Sequence, residues 1–62
     1  MTTIRFDYET KGALKLQDID VECVPAKGDV IRISGVRYTV REREFWTDHG
    51  QIEYVELHLD TL

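Results

Sequence analysis

The stretch Pro25-Ala-Lys-Gly-Asp-Val-Ile-Arg-Ile-Ser-Gly-Val-Arg-Tyr-Thr-Val40 decides the fold. Two short runs of alternating apolar and polar residues flank Ser34-Gly35, and period-two alternation on either side of a two-residue, glycine-containing turn marks a β-hairpin. Direct pairing across that turn sets Ile33 against Val36, Ile31 against Tyr38 and Asp29 against Val40. It also sets Arg32 against Arg37 on the outer face, a like-charge pair that calls for carboxylates beside it. The row Asp18, Asp20 and Glu22 is the expected neighbour.

Upstream of the hairpin, Ile4, Phe6 and Tyr8 alternate with Arg5 and Asp7, the pattern of a half-buried strand. Glu9 to Gly12 supplies a turn. Leu14 and Leu16 then share one parity, whereas Ile19, Val21 and Cys23 fall on the other. This slip near Gln17-Asp18 reads either as a β-bulge or as a packed loop with the strand starting at Asp18. Pro25 ends that strand, because proline cannot donate to a ladder.

Downstream, Arg37–Trp46 and Gln51–Leu59 form a longer hairpin around a four-residue turn, Thr47-Asp48-His49-Gly50. That loop length sets Tyr38 against Leu59, Val40 against Leu57, Arg41 against Glu56, Glu42 against Val55, Arg43 against Tyr54 and Phe45 against Ile52. Phe45, Ile52 and Tyr54 then lie on the face opposite the core. The expected core is Ile4, Phe6, Ile19, Val21, Cys23, Ile31, Ile33, Val36, Tyr38, Val40, Val55, Leu57 and Leu59.

A chain of 62 residues makes a single domain, residues 1–62, near the lower limit at which one core offsets the entropy of ordering the backbone. Twelve acidic residues against eight basic ones give a net charge of −4, which repels a phosphate backbone at long range. Cys23 is the only cysteine, so no internal disulfide forms, and His49 and His58 stand at no metal-ligand spacing with it. No metal or cofactor is expected. No apolar run approaches the roughly 20 residues of a bilayer crossing, and the opening Met-Thr-Thr-Ile-Arg-Phe-Asp-Tyr lacks the pattern of a secretory signal. A cytoplasmic protein is expected.

Five strands, a bent second strand, a Pro-x-x-Gly-Asp loop, the Ser34-Gly35 hairpin and a long last hairpin resemble an SH3-like small barrel. The fragment Val24–Val40 is similar to one in short uncharacterised proteins of phages and prophages. The resemblance implies an all-β, five-stranded antiparallel SH3-like barrel or strongly bent meander sheet, in a phage setting, and carries over no active site. The chain lacks the Ala-Leu-Tyr-Asp-Tyr type of motif of proline-peptide-binding SH3 domains.

Phe45, Trp46, Ile52 and Tyr54 gather near one hairpin tip beside Arg43, and aromatic groups bracketed by arginine are enriched at protein interfaces. These five residues form the candidate site for a protein partner or a second copy of the chain. The competing reading is that a bulge near Arg43 folds this end over the barrel mouth. Arg32, Arg37, Arg41 and Arg43 could form a basic stripe for single-stranded nucleic acid, against cross-strand pairing with Glu56 and the acidic row. Enzyme chemistry is not expected, since Ser34 is the only serine and sits in a turn, and Asp48 beside His49 has no nucleophile in reach.

Overall fold

The computed structural model describes residues 1–62 and contains only strands: β1 (Thr2–Thr10), β2 (Ala13–Val21), β3 (Val30–Ile33), β4 (Val36–Asp48) and β5 (Gln51–Thr61). They form one sheet in the order β2-β1-β5-β4-β3, curled into a half-barrel. The all-β, five-stranded architecture is as expected, but β1 and β5 run parallel. The sheet is therefore mixed, where the sequence predicts an antiparallel meander.

Three two-residue turns build the hairpins. Lys11-Gly12, Ser34-Gly35 and His49-Gly50 all have positive φ at both residues, between 51° and 83°. That is the type I′ geometry, whose twist matches the right-handed twist of paired strands. The Ser34-Gly35 turn gives the predicted pairs, Ile33 with Val36, Arg32 with Arg37 and Ile31 with Tyr38. Backbone bonds from Gly28 to the Val40 carbonyl and from Val40 to the Asp29 carbonyl, both 2.9 Å, extend the ladder.

The other two turns correct the expected registers. Lys11-Gly12 joins β1 and β2 without a register break, from Thr10 with Ala13 to Thr2 with Val21. No bulge interrupts β2, and its strand starts well before Asp18. Leu14 and Leu16 instead lie opposite Glu9 and Asp7 on the outer face, 67% and 60% exposed. Turn geometry outweighs their hydrophobicity, because slipping the strand by one residue would turn Ile19 and Val21 outward.

In the last hairpin, His49-Gly50 is a two-residue loop, and the ladder holds two bulges. Arg41 is the extra residue between the pairs Val40–Leu59 and Glu42–His58, and Glu53 is the extra residue between Trp46–Tyr54 and Thr47–Ile52. The resulting partners differ from those expected of the four-residue turn. Phe45 meets Val55 and Arg43 meets Leu57, so Phe45 stays on the core side of the sheet.

The core is Ile4, Phe6, Tyr38, Val40, Val55, Leu57 and Leu59, with Tyr8, Val21, Val24, Ile31 and Ile33 packed against it. All seven were expected. Ile19 and Val36 share the core side but remain exposed, and Cys23 is an exposed free thiol beyond the end of β2. The half-barrel has too little of its own chain to cover these three.

Candidate functional site

The end of the β4–β5 hairpin runs past the last buried pair of the sheet, formed by Ile4 and Val55. There the Glu53 bulge sorts the apolar side chains between two faces. Phe45 and Ile52 lie on the core side, paired with Val55 and Thr47, while Trp46 and Tyr54 pair with each other on the outer side. The expected placement of Phe45, Ile52 and Tyr54 together on the outer face is thus corrected by two inserted residues, Arg41 returning Phe45 and Glu53 returning Ile52 to the core side while Tyr54 stays outside, since each bulge inverts the parity of the residues beyond it.

The exposure expected of the tip is present at Phe45, Trp46 and Ile52, whereas Tyr54 is half-buried. Phe45 is 49%, Trp46 44% and Ile52 56% exposed. Arg43 lies over the Phe45 ring with its guanidinium carbon 5.2 Å from the centroid, an arrangement that keeps the ring face partly covered by a cation.

Trp46 and Tyr54 belong to a network on the outer face. Their rings stack at 5.5 Å with an interplanar angle of 12°, and the indole N–H donates to Glu56 Oε1 at 2.9 Å. Arg5 stands over the other side of Tyr54, 4.4 Å from its centroid, and donates through Nε and Nη2 to the two carboxylate oxygens of Asp18 at 2.8 and 3.2 Å. This bidentate pair holds the Asp18 carboxyl below the ordinary carboxylate range and the Arg5 guanidinium above its usual value. Arginine fits the position because it offers a planar fork to the carboxylate and a flat face to the ring.

Farther along the same face, His58 Nδ1 lies 3.2 Å from Asp7 Oδ2 and Nε2 lies 3.1 Å from Glu44 Oε1, with Glu56 Oε2 4.0 Å away. A ring facing a carboxylate at each nitrogen satisfies both only as the imidazolium, with both N–H groups donating. The Glu44 bond is the largest cause of a raised His58 pKa, assisted by Glu56, Asp7 and Glu42 and opposed by partial burial. Two ligand sets, Asp7/Glu56/His58 and Glu42/Glu44/His58, each gather their donor atoms within 4.8 Å. A divalent cation could bind either only by displacing the His58 proton. Spacing in the chain hides this cluster, since it needs β1, β4 and β5 side by side.

The four arginines do not make one stripe. Arg32 and Arg37 share the outer face of β3 and β4, Arg41 sits in the bulge 3.5 Å from Asp60, and Arg43 faces the core side. The acidic row on β2 lies at the opposite edge of the sheet from Arg32, not beside it as expected. Asp48 and His49 form a 3.0 Å pair in the turn, with the His49 side chain almost fully exposed.

A cleft of about 420 Å³ opens on the core side, where Tyr8 and Lys15 face Ile33, Ser34 and Val36 across the unclosed mouth of the half-barrel. It marks where the curl stops short of closure. The chain has no helix long and apolar enough to cross a membrane. No family model, curated protein or solved structure matches the chain.

Proposed function

We propose that the chain is a non-enzymatic protein-binding module whose docking element is the end of the β4–β5 hairpin. The observation that carries this reading is the exposure of Phe45, level with the last buried pair, and of Trp46 and Ile52 beyond it. Large apolar groups in such a position, with Arg43 beside them, have the composition of an interface centre. Phe45, Ile52 and Arg43 form its contact surface on the core side. Trp46 offers an edge on the other side, and Tyr54 braces it through the stack.

The half-barrel is compatible with an SH3-like barrel opened along one seam, and the similarity of Val24–Val40 to phage and prophage fragments points to a host or virion protein as partner. In that setting the module acts in the host cytoplasm. The split of the arginines over two faces and a bulge gives the nucleic-acid reading no continuous track.

The test is affinity capture from the native host, comparing the wild type with Phe45→Ser/Ile52→Ser. A specific partner retained by the wild type and lost by the variant, with an unchanged β circular-dichroism spectrum and a cooperative melt well above the capture temperature, is the expected result. Undiminished capture by the variant overturns the assignment.

A further inference from the structure

We infer that the cleft at the mouth of the half-barrel binds a small organic acid, its apolar body seated against Tyr8, Tyr38, Ile33 and Val36 and its carboxylate held by Lys11, Lys15 and the Tyr38 hydroxyl. The site lies at the opposite end of β4 from the hairpin tip and does not rest on the docking proposed there.

The sequence of β2 sets the site up. The Lys11-Gly12 turn pairs Lys15 with Tyr8, which packs against the core, so the strand turns Leu14 and Leu16 outward and a lysine inward. Along its core side β2 passes from Ile19 to Gln17 to Lys15, becoming polar where the curl leaves its mouth. Lys11, in the turn itself, lines the same cleft. These are two of the three lysines in the chain. Neither pairs with a carboxylate, although the chain carries twelve of them. An inward lysine also guards an edge strand against pairing with another chain, but such a guard calls for no further polar group beneath it.

A further polar group is there. Tyr38 is 2% exposed, and its ring meets that of Tyr8 with the centroids 5.2 Å apart. Its hydroxyl makes no hydrogen bond within the chain, yet no fully buried side-chain polar atom lacks a partner. The hydroxyl therefore holds the little exposure that Tyr38 keeps, and the opening that Tyr38 lines is this cleft. A tyrosine hydroxyl in a buried position ordinarily finds a partner. Here the donor is free to meet a ligand.

The chemistry of the lining selects the ligand. A volume of about 420 Å³ lies toward the small end of ligand sites, which run from roughly 300 to 1,000 Å³. Half of the lining residues are apolar, and the cations stand beside them, so the fitting molecule has an apolar body and one charged end. A phosphate ester would set several oxygens against the apolar wall without donors, which is costly. A carboxylate takes charge-assisted hydrogen bonds from the ammonium groups and one more from the phenol.

The test is an amide chemical-shift titration of the whole chain with naphthoate, an apolar ring carrying one carboxylate, beside naphthamide, the same ring without the charge. Naphthoate should give saturable shifts at Tyr8, Lys15, Ile33 and Val36, and naphthamide should bind about tenfold or more weakly. Lys15→Met keeps the apolar stem and drops the ammonium, and Tyr38→Phe drops the hydroxyl. Neither removes a bond made within the chain, and dispersed amide spectra verify that both fold. Lys15→Met should weaken naphthoate binding about tenfold, and Tyr38→Phe several-fold. Lys27→Met, which changes the one lysine outside the cleft, should bind as the wild type does. Absence of saturable shifts at those four residues in millimolar naphthoate, equal affinity for naphthamide, an affinity unchanged by Lys15→Met or by Tyr38→Phe, or an equal loss in Lys27→Met each overturns the proposal. None of these outcomes bears on capture of a protein through the tip.

Discussion

With a carboxylate at each ring nitrogen, His58 ties β1 to β4 across β5 while it is protonated. Its pKa is raised in the folded chain, so the tie is complete below about pH 6.5, the ordinary histidine value, and is lost as pH rises through the folded pKa. Loss of the proton also leaves Asp7, Glu42, Glu44 and Glu56 facing a neutral ring. The melting temperature is therefore expected to fall as pH rises above about 6.5, and His58→Gln should flatten that limb. A wild-type curve level over this range contradicts the assignment. Asp18 acts at the other end: its pKa is lowered, so its contribution is present above the ordinary carboxylate value and lost as pH falls through the depressed one. Packing separates two residues on the same side of the sheet. Leu57 is fully buried, and Leu57→Ala should cost about 2–5 kcal/mol in urea unfolding. Phe45→Ala, with half its ring in solvent, should cost about 1 kcal/mol or less.

At the scale of elements, the turns dictate the registers. Gly50 has φ 76°, so Gly50→Ala forces an L side chain into the left-handed region and should cost about 1 kcal/mol or more. His49→Asn places the residue that best tolerates that region beside the glycine and should stabilise by a few tenths of a kcal/mol. Equilibrium unfolding reads both, and a neutral Gly50→Ala would mean that the turn is not type I′. The same physics explains what could be read from the residues. β1 and the Ser34-Gly35 hairpin were legible because alternation and an X-Gly dipeptide are local signals. His49-Gly50 carries the same dipeptide, but Thr47-Asp48 before it also has turn chemistry, which masks the shorter loop. The Arg41 and Glu53 bulges leave no local mark, since a bulge shows only against its partner strand. Parallel pairing of β1 with β5 joins segments about fifty residues apart, and with it the set of carboxylates around His58 was out of reach. The exposure of Phe45, Trp46 and Ile52 was legible, while their division between faces was not.

For the whole molecule, a curl that stops halfway leaves a core of seven buried residues, a mouth and two bare edges. The claim beneath the docking surface is that the core side of β4 and β5 continues to Phe45 and Ile52, kept in phase by the bulges at Arg41 and Glu53. Cross-strand nuclear Overhauser effects test it most directly. Backbone contacts of Phe45 with Val55 and of Glu42 with His58 are expected; contacts of Phe45 with Ile52 and of Glu42 with Val55 would overturn the claim.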